Sequence, residues 1–298
     1  MINLVLFHSG APLPEFIEYN FKQIRIFNPN IRIYFLTDKN LLSNFLFDEY
    51  NILAIDKDLF YSDKIKQFEM FFNYGSDNFW TLAATRLIYI ENFLKSYSLY
   101  TDVYHFENDV LLYYNLEEHH EKFKKFYENI AITTGGPDKS MTGFMFIKNY
   151  ESISKMTQFF IDILKTHGIQ GTINKYHMDM VHEMSLMKFY GVENGDKYLS
   201  NLPILPFGDF SEHFQDFNSI FDPATWGQFV GGTRNEGPGA KPQDHYIGTM
   251  LKNNPQYSVI FNEENGLKIP YFSYEDKLVK LNNLHIHSKN LKLYISKK

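Results

Sequence analysis

Short apolar runs alternate along this chain with longer segments whose apolar residues recur at helical spacing. Residues 2–7 (INLVLF) read as a strand that ends at His8-Ser9-Gly10, and Phe16, Tyr19, Ile24 and Phe27, with Pro14 ahead of them, mark a following helix. Residues 31–38 (IRIYFLTD) and 51–56 (NILAID) read as a second and a third strand. Helices are predicted over 63–74 and 78–97, a fourth strand over 102–106, and then a further apolar run at 110–114 and a polar helix. Residues 129–136 (NIAITTGG) and the strand 141–149 (MTGFMFIKN) follow. Strands separated by helices of this size imply an α/β fold, a Rossmann-like, mostly parallel sheet covered by helices on both faces.

From about Pro203 the pattern fades. Residues 200–248 are rich in Pro and Gly, which predicts long ordered loops over an active site rather than a linker. No fixed-period repeat interrupts the chain, so its 298 residues are expected to form one domain whose second half elaborates the site.

Composition removes several classes. With no cysteine, disulfides and thiolate metal sites are excluded. A net charge of −6, spread rather than blocked, disfavours a nucleic-acid partner, because phosphate neutralisation needs clustered Lys and Arg. The opening MINLVLFHSG has neither the basic start nor the length of a signal sequence, and no apolar run approaches a membrane span. A soluble, cytoplasmic protein is expected.

One stretch breaks the apolar pattern. In DVYHFENDVLLYYN the triplet Glu107-Asn108-Asp109 follows a buried-looking strand, at the carboxyl end where parallel sheets bind ligands. In extended backbone residues i and i+2 face one side, so Glu107 and Asp109 converge on one cation while Asn108 points away. Oxygen ligands without thiolates suit Mg²⁺ or Mn²⁺. The competing reading is a turn with solvated acids, and Asp56-Lys57-Asp58 has the same form after another predicted strand.

Two further pairs add to the triplet. His285 and His287, at i and i+2 in NNLHIHSKNL, could supply a nitrogen ligand to the same metal, with Lys289 placed to neutralise a phosphate. Asp179 and Glu183 lie four apart on one face of a predicted helix. Like charges at that spacing raise a carboxyl pKa toward that of a working general base, and Asp179 is the first choice for that role. Trp226, Phe221 and Phe229 offer either a sugar-stacking surface or core, Trp80 reads as core or as a residue edging the site, and the Gly-rich loop 231–243 reads as a lid or an ordinary surface loop.

Taken together, residues 8–38, 79–95 leading into 102–113, and then MTGFMFIKN, FDPATWGQFVGG, DHYIG and LHIHSKNL resemble the glycosyltransferases of GT-A fold, nucleotide-sugar-dependent enzymes with a DxD-type metal motif. The DxD position carries Glu107-Asn108-Asp109, a departure that keeps the charge and lengthens the first arm. The resemblance implies that Asp109 coordinates a divalent cation bridging the donor phosphates. It further implies that Phe7, His8 and Ser9 lie beside the nucleotide, that Asp38 contacts the base or ribose, and that Arg86 faces the donor. Asn108 and Lys289 are counted with these donor-binding residues. Residues 1–150 would then form the nucleotide-sugar half, and 151–298 the acceptor half with the C-terminal metal and phosphate motif. The implied reaction moves a sugar from a UDP-linked donor to a hydroxyl on a glycan or other acceptor. The alternatives are a metal-dependent phosphohydrolase and a catalytically silent sugar-binding protein on the same fold.

Overall fold

The first strand shows how the core is divided. In β1 (Asn3–Phe7) all four residues from Leu4 to Phe7 are buried, Leu4 and Leu6 in one layer and Val5 and Phe7 in the other. A strand apolar on both faces must lie inside a sheet covered on both sides. The computed structural model describes residues 2–72, 79–178, 180–233 and 235–296. The ends of the two helices read over 63–74 and 78–97 that fall within 73–78 lie outside the described residues, as does Asp179.

After β1 come α1 (Ile17–Phe27), β2 (Arg32–Thr37), α2 (Phe45–Glu49), β3 (Ile52–Asp56), α3 (Asp63–Phe71) and α4 (Phe79–Ser96). The chain continues through β4 (Thr101–Phe106), β5 (Val110–Leu112), α5 (Leu116–Phe126), β6 (Ile130–Gly136), β7 (Lys139–Asn149), α6 (Tyr150–Tyr176), α7 (Glu183–Asn194) and β8 (Leu199–Asn201). Its last part holds α8 (Phe214–Phe217), β9 (Ser219–Ile220), α9 (Trp226–Gly231), α10 (Tyr246–Asn253), β10 (Ser258–Glu264), β11 (Leu267–Tyr274), β12 (Lys277–Leu281) and β13 (Asn283–His285).

Seven strands form the main sheet in the order β3-β2-β1-β4-β7-β6-β8. The pairs from β3 to β4 and the pair β6 with β8 are parallel, and β7 runs antiparallel to both its neighbours. One face packs on α3, α4, α6 and α7 through Val5, Leu36, Val103 and Met145. The other packs on α1, α2 and α5 through Leu6, Phe35, Phe106 and Phe146. Each such buried side chain contributes about 1.5–3 kcal/mol, which commits the sheet to a single register. A buried ion pair ties three helices together: Lys64 Nζ reaches Glu91 at 2.8 Å, and Thr157 Oγ1 donates to the same carboxylate at 2.6 Å. Among the described residues no helix is long and apolar enough to cross a membrane.

The C-terminal part adds regular structure to the expected loops. Residues 200–248 hold only short elements, but β10, β11 and β12 then form an antiparallel meander joined by β9. Its alternation is weak, because much of β10 is half-exposed and the turns at Asn265-Gly266 and Glu275-Asp276 sit between polar ends. Trp226 is fully buried against Phe272 and Phe221 is fully buried in a Phe cluster, so both are core rather than a sugar-stacking surface.

Candidate active site

The site is assembled by two strands far apart in the chain. β5 pairs antiparallel with β13, setting Val110 opposite His285, and Ile286 N–H donates to Asp109 O at 2.9 Å. The acidic triplet is a turn rather than extended backbone, closed by Val110 N–H to Glu107 O at 3.1 Å. Asn108 Nδ2 donates to Phe7 O at 2.9 Å, pinning the turn to the end of β1. The acids are not solvated. Asp109 is 5 % exposed, and Glu107 is half-buried.

Protein cations balance this charge. His285 Nε2 lies 3.2 Å from Glu107 Oε2 and 3.1 Å from Asp109 Oδ2, while Lys289 Nζ donates to the same Asp109 oxygen. Arg86 Nη2, from α4, donates to Glu107 Oε1 at 2.8 Å and to Thr142 Oγ1 at 2.8 Å, and that hydroxyl donates to Glu107 at 2.6 Å. The longer arm of Glu107 therefore serves two partners, with one oxygen on Arg86 and the other facing His285. Burial alone would raise both carboxyls. For Glu107 it is overcome by Arg86 and His285, and for Asp109 by His285 and Lys289, which hold both acids well below the usual carboxylate range. Burial works against the charged His285 imidazole, yet Asp109 and Glu107 push its pKa up to about 10.

Glu107, Asp109 and His285 each offer one ligand atom, all within 4.8 Å of one another. Two carboxylate oxygens and one imidazole nitrogen fit Mn²⁺ or Mg²⁺, and an octahedral ion with bonds of about 2.1 Å sets adjacent ligands about 3 Å apart. The nitrogen-to-oxygen separations of 3.1 and 3.2 Å are those of charge-assisted hydrogen bonds, so His285 would give up its Nε2 proton to ligate an ion. His287 does not join this group. β13 ends at His285, so the i, i+2 relation is lost. His287 instead packs edge-on to His285 at 4.4 Å with Gln228 Nε2 3.2 Å from its Nδ1, and burial lowers its pKa to about 3.

These groups open on a cavity of about 520 Å³ at the carboxyl ends of β1 and β4. Phe7, His8 and Ser9 line it beside the triplet, and Phe79, Trp80, Met141 and Met184 line it elsewhere. Trp80 is thus a half-buried wall residue, not core, stacked on His182 at 5.2 Å. Glu183, the first residue of α7, also lines the cavity. It is 4 % exposed, its Oε1 lies 3.9 Å from Arg86, and its Oε2 has no hydrogen-bond partner. Burial raises its pKa to about 7, Arg86 opposes that rise and Glu107 adds to it.

Two other positions are placed outside the cavity lining. Asp38 accepts from Ser9 Oγ at 2.9 Å and from Gly10 N–H at 2.7 Å, so it shapes the loop after β1. Burial would raise its carboxyl, but Gly10, Ser9 and Lys57 bring it below the ordinary value. The second acidic triplet is structural, since Asp56 caps a helical turn at Asp58 N–H and Lys57 pairs with Asp58 and Asp38.

Sequence reasoning missed Asp222. Fully buried, it accepts backbone N–H groups from Thr225, Trp226, Gly227 and His285 at 2.7–2.9 Å. Burial pushes its carboxyl up despite those four donors. Gly227 then packs so tightly that a Cβ would lie 2.1 Å from His285 O, and a Cβ on Gly143 would lie 3.0 Å from His285 Nδ1. The available signal was an Asp just ahead of a short helix, a position where its side chain takes free N–H groups.

The mostly parallel sheet, covered by helices on both faces, has the GT-A fold. Among solved structures the chain is similar to mouse xyloside xylosyltransferase 1 in its apo form, at 13% identity and a TM-score of 0.52 over 72% of this chain and 92% of that one. It is also similar to the glycosyltransferase GlyE of Streptococcus pneumoniae TIGR4, at 14% identity and a TM-score of 0.42 over 85% of this chain and 50% of that one. No family model matches the sequence, and no curated protein matches it by sequence.

Proposed function

We propose that the chain is a metal-dependent glycosyltransferase that moves a sugar from a nucleotide-sugar donor, UDP-linked, to a hydroxyl of a glycan or other acceptor. The observation that carries this reading is the convergence of Glu107, Asp109 and His285 on one point of a cavity at the carboxyl ends of β1 and β4 in a GT-A fold. Residues 1–150 would form the donor half and 151–298 the acceptor half.

Glu107, Asp109 and His285 would hold Mn²⁺ or Mg²⁺, which when bound supplies positive charge to the departing diphosphate. Phe7, His8 and Ser9 flank the donor, Asn108 fixes the turn against Phe7, and Asp38 fixes the loop that carries Ser9. Arg86 keeps Glu107 ionised and Lys289 reaches the phosphates. Glu183 is the described carboxylate best placed as general base. It would take the proton of the acceptor hydroxyl as that oxygen bonds to the anomeric carbon, while the carbon–oxygen bond to the diphosphate breaks and its electron pair leaves with the phosphate. Asp179, a further candidate base, is four residues away in the chain.

Calorimetric titration with uridine diphosphate, with and without Mn²⁺, tests the reading. Metal-dependent diphosphate binding is expected, and binding indifferent to Mn²⁺ or absent would refute it. Release of inorganic phosphate from simple phosphate esters would favour a phosphohydrolase instead.

A further inference from the structure

Among the described residues three cations crowd the acid pair, and they are not held alike. Arg86 is buried and fixed by Glu107 and Thr142. His285 is 6 % exposed and sits on a paired strand, its backbone fixed by Asp222. Lys289 differs in each respect. Its side chain is 51 % exposed, and it extends from a tight turn in which Lys289 N–H donates to Ile286 O at 3.0 Å, with φ of 63°. Its ammonium also lies 5.8 Å from the centre of the Phe16 ring. Beside it a second cavity of about 400 Å³ is lined by Thr233, His287, Ser288 and Lys289. Of the three cations, Lys289 is the one with room to leave.

It also stands in the way. Its ammonium takes Asp109 Oδ2, the oxygen that His285 faces, on one of the three side chains of the ligand group. A divalent ion and an ammonium cannot share that oxygen without strong repulsion. We propose that Lys289 is an internal counter-ion of Asp109, which holds the carboxylate while no divalent ion is present, is displaced when one binds, and passes to the donor diphosphate. This rests on the metal-dependent reading above. An unpaired buried carboxylate is costly, so the lysine keeps the metal-free site in shape, and it does so by competing with the metal. The diphosphate offers the displaced ammonium a new partner. Metal and diphosphate therefore strengthen each other's binding by the same factor.

The test is direct Mn²⁺ binding to the whole chain, followed by electron paramagnetic resonance of the free ion, with and without uridine diphosphate. Lys289→Met should bind Mn²⁺ alone about tenfold tighter than wild type, and the enhancement of Mn²⁺ affinity by the diphosphate should shrink by a similar factor. Lys289→Arg should stay near wild type. Lys289→Gln repeats the charge removal with a polar side chain should the Met variant fold poorly. Unchanged or weaker Mn²⁺ binding by both neutral variants, with Asp109→Asn losing the ion, would overturn the role of Lys289 and leave the metal site standing. If wild type itself binds no Mn²⁺, the metal-dependent reading falls and the counter-ion role with it.

Discussion

Asp222 Oδ2 accepts the backbone N–H of His285 at 2.7 Å, so a carboxylate in the loop before α9 fixes the backbone of a candidate metal ligand in β13. The same side chain takes the first N–H groups of α9, and Gly227 lets that helix touch His285 without a Cβ between them. The ligand is thus held from behind by a device that contributes no atom to the metal group.

Replacing Asp222 by Ala should be severely destabilising. Four buried N–H groups would lose their acceptor at once, and each unsatisfied group costs about 1–3 kcal/mol before relaxation. A net loss of about 3 kcal/mol or more is expected, seen as a Tm lower by roughly 6–10 °C. An unchanged Tm would mean that the clamp is not part of the folded protein in solution.

Asp109→Asn and Glu107→Gln should separate in effect. The Asn variant keeps the size of the side chain but removes the charge that faces both His285 and Lys289, and loss of Mn²⁺-dependent diphosphate binding is expected. Glu107→Gln also leaves Arg86 short of a partner at 2.8 Å, so it should lower thermal stability as well as metal affinity. Calorimetry and thermal unfolding on the two variants check the contrast. Equal Tm values with equal metal loss would show that Arg86 does not depend on Glu107.

The cap of α7 gives a third expectation. His182 Nδ1 accepts Ser185 N–H at 3.1 Å, the Ser185 hydroxyl donates to His182 O at 2.8 Å, and the imidazole stacks on Trp80. His182→Ala should cost about 1 kcal/mol as a lost cap and loosen both Glu183 and the Trp80 wall. The cap needs a neutral ring, and burial lowers the His182 pKa to about 4. A depressed histidine adds stability that is present above its unfolded pKa and fades as pH falls through about 4. Urea unfolding at pH 7 and pH 4.5 should show the difference between wild type and His182→Ala shrinking at the lower pH.

Much of this was legible from local pattern. The first strand, α1, β2, β3 and α4 follow from runs of apolar residues whose period is set by burial on one face or two. The long-range pairing that makes the site was not. Nothing local says that His285 rather than His287 meets Asp109. That choice is made where β13 stops pairing with β5, a property of two strands at once. Asp222 was hidden for a similar reason, since two of its four donors sit in α9 and one in β13. Trp80 reads as core in an apolar helix, and becomes a cavity wall because α4 begins beside the mouth of the site.

Glu183 supplies the sharpest pH test. Burial, with Glu107 adding to it and Arg86 opposing, raises its pKa to about 7 from an ordinary 4.5. A carboxyl raised on folding binds its proton more tightly in the native state, so its contribution is fully present below about pH 4.5 and is lost as pH rises through about 7. For metal-free protein, wild type should therefore lose stability relative to Glu183→Gln between pH 5 and pH 8, by an amount on the order of a few kcal/mol. Urea unfolding of both proteins at the two pH values measures it, and parallel curves would show that Glu183 is not buried as described. With Glu183 as the proposed general base, the same ionisation would set the rate. A base must be deprotonated to act, so kcat/KM should climb up to about pH 7 and then level. Glu183→Gln should lose about 10²–10⁴-fold and with it that limb of the profile. A Gln variant with full activity and an unchanged profile would remove Glu183 from the chemistry and leave Asp179 to be tested in its place.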